Sequence, residues 1–167
     1  MRLFLPLLCL LAACAPVAVP AKADFSGKVV GVSDGDTLTV LHGRETVRVR
    51  LHGVDTPETA QPFGSVAKKR TSDLVFGKIV TVEIRDTDQY GRMVGWVTFA
   101  DAKGETVCLN ETLVADGCAW WYRYYAPRES SLERAEGQAR KAKRGLWSAP
   151  NPIAPWDWRK RDRVEAA

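Results

Sequence analysis

The stretch TLTVLHGRETVRVRL, residues 37–51, decides the fold. Apolar and polar side chains alternate on both sides of the His42-Gly43 turn pair. The second half ends in one apolar face, formed by Val47, Val49 and Leu51, with arginines on the opposite face. This period of two is typical of half-buried antiparallel strands joined by a tight turn. The stretch therefore predicts a β-hairpin.

The same strand pattern recurs on both sides of this hairpin, at residues 28–32, 78–84 and 93–99. Short strands joined by tight turns predict a meander that curls into a barrel. Apolar spacing and terminal glycines indicate three helices, at residues 62–76, 110–116 and 130–145. We therefore expect an α+β protein with a domain over residues 24–148. Residues 149–167 form an aromatic and basic C-terminal tail, expected to be irregular.

Composition is that of a soluble globular protein, with 46% apolar and 26% charged residues in a chain of 167. The net charge of +4 is mild, but basic residues cluster within residues 140–144 and 159–163. Such clusters suit a polyanionic partner, because neutralised phosphates release counterions. A solvated helix face and a frayed tail account for the same charges equally well.

The first 23 residues have the pattern of an export signal. A positively charged start is followed by a Leu-rich run and by Ala21-Lys22-Ala23, which fits a cleavage site before Asp24. A second route competes, because residues 11–14 end in Cys14 and resemble a bacterial lipoprotein signal. We therefore expect an exported protein, periplasmic or extracellular, with lipidation of Cys14 as the alternative to cleavage before Asp24.

Cys108 and Cys118 belong to the mature domain under either route. A pair of cysteines in an exported protein is a disulfide candidate, and we favour that reading slightly. Two buried free thiols are the alternative, since Cys packs well as a small hydrophobe.

Three charged clusters lie between the apolar runs, at residues 34–37, 50–58 and 90–92. Asp36 and Asp55 are separated by a hairpin that brings the end of one strand near the loop after its partner. Two carboxylates, a backbone carbonyl and waters are typical ligands of Ca²⁺. Asp34 is interpreted as a turn residue, because Asp-Gly is a common turn pair.

The remaining charged residues suit the chemistry of phosphodiester cleavage. Glu58 follows Asp55 by three residues in a loop stiffened by Pro57, where a carboxylate that does not bind metal could take a proton from water. Arg50 and Arg92 could donate paired hydrogen bonds to phosphate oxygens. Each arginine alone is more often part of a surface ion pair, so the prediction depends on the joint pattern.

The segments at residues 34–37, 50–58 and 90–92 resemble, in order and spacing, those of the staphylococcal nuclease family. The likeness extends over about residues 29–147. The resemblance implies an OB-fold barrel of five strands with three helices, and Ca²⁺-dependent cleavage of DNA and RNA.

By matching position, the resemblance implies a role for each site residue. Asp36, Asp55 and the main-chain carbonyl of Thr56 would bind Ca²⁺, Glu58 would be the general base, and Arg50 and Arg92 would clamp the phosphate. Tyr90 and Tyr125 would contact substrate, while Gln89 replaces a lysine that the best-known member carries before the Tyr-Gly-Arg motif.

A different class of function has the same fold. A non-catalytic OB-fold module in the cell envelope could bind nucleic acid, but such a module would be expected to lack the base or the arginines. In either case the expected partner is nucleic acid, and no stable protein partner is implied. The protein is expected to be a monomer that contacts a membrane only through a lipid anchor.

Overall fold

The computed structural model describes residues 24–165, and the side chains as far as residue 161. The predicted hairpin is present. Strand β2 (Thr37–His42) pairs antiparallel with β3 (Glu45–Leu51), with Thr37 opposite Arg50 and His42 opposite Glu45. Leu38, Val40, Val49 and Leu51 are buried, so the alternation in the sequence marks the face that packs in the core.

The hairpin is part of a closed barrel of five strands. The other three strands are β1 (Phe25–Asp34), β5 (Ile79–Thr87) and β6 (Met93–Ala100). The strands follow the order β3-β2-β1-β5-β6, and a parallel pairing of β3 with β6 closes the sheet. The expected OB-fold barrel is therefore confirmed.

Shorter strands extend this barrel. Strand β7 (Thr106–Cys108) pairs with β6 at the edge. Two strands of two residues each, β4 (Val54–Asp55) and β8 (Trp120–Trp121), pair antiparallel in a separate small sheet. The β4–β8 pair lies next to the charged cluster at residues 50–58, and thus matters for the site.

The three expected helices are present with shifted ends: α1 (Gly64–Val75), α2 (Leu109–Ala115) and α3 (Ser130–Lys141). They cover the barrel with a shared apolar core that includes Ala67, Val75, Leu109, Leu113 and Leu132. None of the helices in residues 24–165 is long and apolar enough to cross a membrane.

The irregular conformation expected for the tail is wrong for residues 155–165. A 3₁₀ turn at Gly145–Ser148 precedes a fourth helix, α4 (Pro155–Glu165). Helix α4 is rich in charged residues and has no continuous apolar stripe, so its position depends on what its first turn contacts. Trp156 stacks on Tyr122 with ring centroids 5.1 Å apart, and lies edge-on to Trp120 at 5.6 Å. Aromatic contacts therefore dock α4 against the domain.

Both cysteines are free thiols in the structure, contrary to the slight preference for a disulfide. Helix α2 lies between them, and its seven residues span about 10 Å, more than the roughly 4.4–6.8 Å between Cα atoms that a disulfide tolerates. Burial raises the pKa of both thiols to about 11. The predicted signal segment, residues 1–23 with Cys14, lies outside the described residues.

Candidate active site

Asp36 lies in the turn between β1 and β2, and its carboxylate is held by Thr56. The Thr56 backbone N–H donates to Asp36 Oδ2 at 2.8 Å, and the Thr56 hydroxyl donates to the same oxygen at 2.9 Å. Gly35 allows this approach, because a Cβ there would lie only 2.7 Å from Thr56 Cγ2. Asp36 and Thr56 are both buried. A tight glycine turn thus joins the first charged cluster to the second.

Arg50 connects the two aspartates that the sequence singles out. Its guanidinium forms an ion pair with Asp36 and, through Nη2, a hydrogen bond of 2.8 Å to Asp55 Oδ1. Its position at the end of β3, opposite Thr37, places it beside the Asp36 turn. Asp55 is fixed by the small sheet, in which it lies opposite Trp120. The structure therefore brings Asp36, Arg50 and Asp55 together.

The two aspartates differ in electrostatic environment. Burial opposes the charge on Asp36, but the Arg50 charge and hydrogen bonds from Thr56 lower its pKa below the usual value. Burial raises the pKa of Asp55, even though two arginines favour its charged form. Burial and the nearby Asp36 charge raise the pKa of Asp34 to about 6. The positive charge of the arginines thus does not offset the full cost of keeping all three carboxylates charged.

Asp34 does accept a turn hydrogen bond, as expected. Its Oδ1 receives the backbone N–H of Asp36 at 3.2 Å. Asp34 is more than a turn residue, because burial and the Asp36 charge beside it raise its pKa.

Glu58 lies in the loop between β4 and α1, and its carboxylate is 39% exposed. Gln61 restricts this loop through two hydrogen bonds to Glu58. The Gln61 side-chain oxygen accepts the Glu58 N–H at 3.2 Å, and the Gln61 backbone N–H donates to the Glu58 carbonyl at 2.8 Å. Gln61 Nε2 donates to the Ile153 carbonyl at 2.7 Å, which ties the loop to the segment before α4.

Arg159 of α4 enters the site, which sequence reasoning missed. Its Nη2 donates to Asp55 Oδ2 at 2.7 Å, and its Nη1 donates to Glu58 Oε1 at 2.6 Å. A longer bond of 3.3 Å joins Nη1 to Asp55 Oδ1. The basic cluster near the C-terminus was the available signal, but it was equally consistent with a solvated face.

Arg92 approaches the site from the turn between β5 and β6. Asp88 orients it: Asp88 Oδ2 accepts Arg92 Nε at 2.7 Å, and Oδ1 accepts the Arg92 backbone N–H at 3.0 Å. Desolvation opposes the Asp88 charge, but these bonds lower its pKa. Arg92 Nη1 also donates to the Thr37 hydroxyl at 3.3 Å, which in turn donates to Asp36 at 3.3 Å. Arg92 thus joins the cluster through Thr37, and Asp88 and Thr37 are further contacts missed from sequence.

The two tyrosines predicted to contact substrate are exposed. Tyr90 is 72% exposed, with the Arg92 guanidinium 5.5 Å from its ring centroid. Tyr125 is 68% exposed and lies edge-on to Tyr122 at 4.9 Å. Burial and the Asp55 charge raise the pKa of Tyr122, an effect that Arg159 partly offsets. The aromatic cluster around Tyr125 therefore borders the charged one.

The donors at the centre suit a hard cation. The predicted ligands are the carboxylates of Asp36 and Asp55, which contact the same guanidinium, and the main-chain carbonyl of Thr56, a residue that bonds to Asp36. All of these donors are oxygen atoms, the type that Ca²⁺ and Mg²⁺ prefer. Within residues 24–165 no three His, Cys, Asp or Glu side chains are grouped as metal ligands. A cation here would therefore rely on two carboxylates, a carbonyl and water.

Comparison with known proteins agrees with this geometry. The family model described as "Staphylococcal nuclease homologue" matches residues 48–149. A micrococcal nuclease of Shigella flexneri is 44% identical over 149 residues, 86% of this chain and 86% of the relative. Protein ParB of Escherichia coli is 40% identical over 149 residues, 86% of this chain and 84% of the relative. An endonuclease of Escherichia coli O157:H7, named as uncharacterized, is 42% identical over 139 residues, 83% of this chain and 88% of the relative. The chain therefore belongs to the staphylococcal nuclease family and is a nuclease, an enzyme that cleaves phosphodiester bonds in nucleic acid.

Proposed function

We propose that the protein is a calcium-dependent nuclease that hydrolyses phosphodiester bonds in both DNA and RNA. One observation carries the proposal: two buried aspartates, a half-buried glutamate, Arg50 and Arg92 lie in one network at the barrel rim, connected through Thr37 and Arg159. Groups of buried carboxylates with shifted pKa values are concentrated at functional sites.

The cation would be held by Asp36, Asp55 and the main-chain carbonyl of Thr56. When bound it would supply positive charge that stabilises negative charge on a phosphate. The two hydrogen bonds from Thr56 keep Asp36 in one orientation, and the β4–β8 pair does the same for Asp55. The protein thereby positions its donors before any ligand arrives.

Glu58 is the proposed general base, which takes a proton from the attacking water on a carboxylate oxygen. It is more exposed than the two aspartates, so water can reach it. Pro57 and the Gln61 hydrogen bonds restrict its loop, which limits the positions of the carboxylate. A positioned base contributes typically about 10²–10⁴ in rate.

Arg50 and Arg92 are the proposed phosphate clamps. Both guanidiniums have planar donor forks that match phosphate oxygens, which a lysine would not provide. Arg50 is held by two aspartates and Arg92 by Asp88, so both are oriented without substrate. Preorganised donors of this type stabilise the extra negative charge of the transition state.

Exposed tyrosines support a preference for unpaired strands. Tyr90 lies beside Arg92, and Tyr125 lies beside the Tyr122 ring. A base stacked on an aromatic side chain contributes about 1–3 kcal/mol whatever its sequence. Flexible or single-stranded regions should therefore be cut most readily.

The test uses purified protein with DNA and RNA, with Ca²⁺ and then with excess chelator. Cleavage should stop in chelator, and cleavage that persists would contradict the role of the cation. Glu58→Gln should lower kcat by about 10²–10⁴ and Arg92→Ala should also remove most of the rate, with both proteins folded. Arg48→Ala is the matched control, since Arg48 is an exposed arginine on the same strand as Arg50.

We also propose that residues 1–23 direct export, with the mature chain starting at Asp24 or at a lipidated Cys14. Both alternatives rest on the sequence pattern alone. Mass spectrometry of the mature N-terminus separates them, because only the second adds acyl chains and retains residues 14–23. A mature protein that still begins at Met1 would contradict both.

A further inference from the structure

Arg159 pairs with the oxygens that the proposed function needs for other purposes. Both of its contacts to Asp55 involve carboxylate oxygens of a proposed cation ligand, and its contact to Glu58 involves the proposed base. We propose that Arg159 is a further residue of the active site, an internal counter-charge that competes with the cation for Asp55 and sets how tightly the cation binds. This inference rests on the proposed cation site.

The competition follows from charge and space. The Asp55 side chain is 1% exposed, so the space at its Oδ2 does not hold a guanidinium and a cation separated from each other by water. Two positive charges within a few ångströms of each other also repel strongly in a partly buried site. A cation at Asp55 therefore requires Arg159 to withdraw.

Arg159 is the arginine that can withdraw at least cost. The Arg50 side chain is 15% exposed and belongs to a central barrel strand, whereas the Arg159 side chain is 34% exposed and belongs to the last described helix. Helix α4 is docked mainly by its first turn, where Trp156 stacks on Tyr122. Arg159 lies three residues later, about one helical turn on, so the helix can release Arg159 without disturbing the barrel.

The withdrawal would also release Glu58. Its Oε1 accepts the 2.6 Å bond from Arg159, so this oxygen is open to a water molecule only after Arg159 has moved away. Cation binding and freeing of the base are therefore a single event in this scheme. The C-terminal helix would keep the carboxylates neutralised until a cation replaces its arginine.

The expected change in cation affinity depends on the fraction of molecules in which Arg159 is bound to Asp55. If nine molecules in ten hold Arg159 on Asp55, the apparent affinity for the cation is about ten-fold weaker than the intrinsic one. Arg159→Ala should thus tighten Ca²⁺ binding by about ten-fold. Arg159→Lys keeps the charge without the planar fork and should fall between the two.

The experiment measures Ca²⁺ binding to the full chain by calorimetry, without substrate. Wild type, Arg159→Ala and Arg159→Lys are compared with Arg161→Ala, which removes the same charge from an exposed position on the same helix. In parallel, amide hydrogen exchange of residues 156–161 is followed in wild type with and without Ca²⁺. We expect tighter binding for Arg159→Ala, unchanged binding for Arg161→Ala, and faster exchange in the helix when Ca²⁺ is present.

The outcomes separate this inference from the proposed function. Equal Ca²⁺ affinity in wild type and Arg159→Ala would overturn the competition while leaving the cation site intact. Tighter binding by Arg159→Ala without any change in helix exchange in wild type would overturn the withdrawal of Arg159. Absence of Ca²⁺ binding in every variant would overturn the cation site itself, and the competition with it.

Discussion

Replacing Gly35 by alanine tests whether the tight turn positions the active site. An added Cβ would lie 2.7 Å from Thr56 Cγ2 and 2.8 Å from both Thr56 Cβ and Oγ1. Separations below 3.0 Å are not found for real Cβ atoms, so the Thr56 side chain must move. That side chain and its backbone N–H hold Asp36 Oδ2 at 2.9 and 2.8 Å. The substitution therefore acts through Thr56 on Asp36, the proposed cation ligand.

The cost can be worked from three contributions. Overpacking of a well-packed region costs about 1–3 kcal/mol. Loss of a hydrogen bond to a charged carboxylate costs about 1.5–3 kcal/mol. Alanine lowers the conformational entropy of the unfolded chain relative to glycine, and this effect stabilises the folded protein by about 0.4–1 kcal/mol. The free energy of unfolding of Gly35→Ala should thus fall by about 1.5–5.5 kcal/mol, because the turn cannot relax away from Thr56 without breaking at least one bond to Asp36.

Urea denaturation in the presence of chelator measures this change without any contribution from a bound cation. The matched control is Gly137→Ala, since Gly137 is exposed in α3 and a Cβ there would meet nothing within 4 Å. The control should gain about 0.5–1 kcal/mol, as is usual for alanine in a helix. A Gly35→Ala protein as stable as wild type, with full Ca²⁺ affinity, would refute the reasoning about the turn.

Three further predictions concern charge and titration. Asp88→Asn keeps the turn acceptor but loses the ion pair with Arg92 Nε, so kcat should fall about ten-fold with little change in unfolding; an unchanged kcat would contradict the positioning role. The Asp34 pKa is raised from 3.8 to about 6, so this carboxyl stabilises the fold below pH 4 and the contribution is lost as pH rises through 6. Measured in chelator, the stability of Asp34→Asn relative to wild type should therefore rise by up to about 3 kcal/mol between pH 4 and pH 7, and a flat difference would show that the pKa is ordinary. The pKa of Cys108 and Cys118, raised from 9.0 to about 11, leaves about 100-fold less thiolate at pH 8, so alkylation of the folded protein should be slower by that factor than in urea.

The barrel was predictable because its signal is local. Alternation over residues 37–51 specifies which face is buried, and that face is the one that packs in the structure. Asp36, Arg50 and Asp55 could be assigned together because all three lie within a few residues of the ends of β1 and β3. Barrel closure then converts sequence spacing into proximity.

Other contacts were not predictable because their signals are tertiary. Helix α4 has no continuous apolar stripe, and tertiary contacts, including those of Trp156 with Tyr122 and Trp120, bring Arg159 to the site. In the sequence Asp88 is one of several acidic turn residues. Only the hydrogen bond from Arg92 Nε to its Oδ2 distinguishes it from the others. The disulfide preference was wrong for a different reason: it depended on the number of cysteines, although the helix predicted at residues 110–116 already separates Cys108 from Cys118.

The pairing of β4 with β8 has a consequence for when the enzyme can work. Asp55 pairs with Trp120 of β8, which comes much later in the chain. The strand that carries Arg50 pairs with β6, which lies more than forty residues after it. A chain growing on the ribosome therefore carries every acidic residue of the centre long before it has the partner strands that align them. The complete arrangement of Asp36, Arg50 and Asp55 therefore becomes available only once synthesis has passed β8.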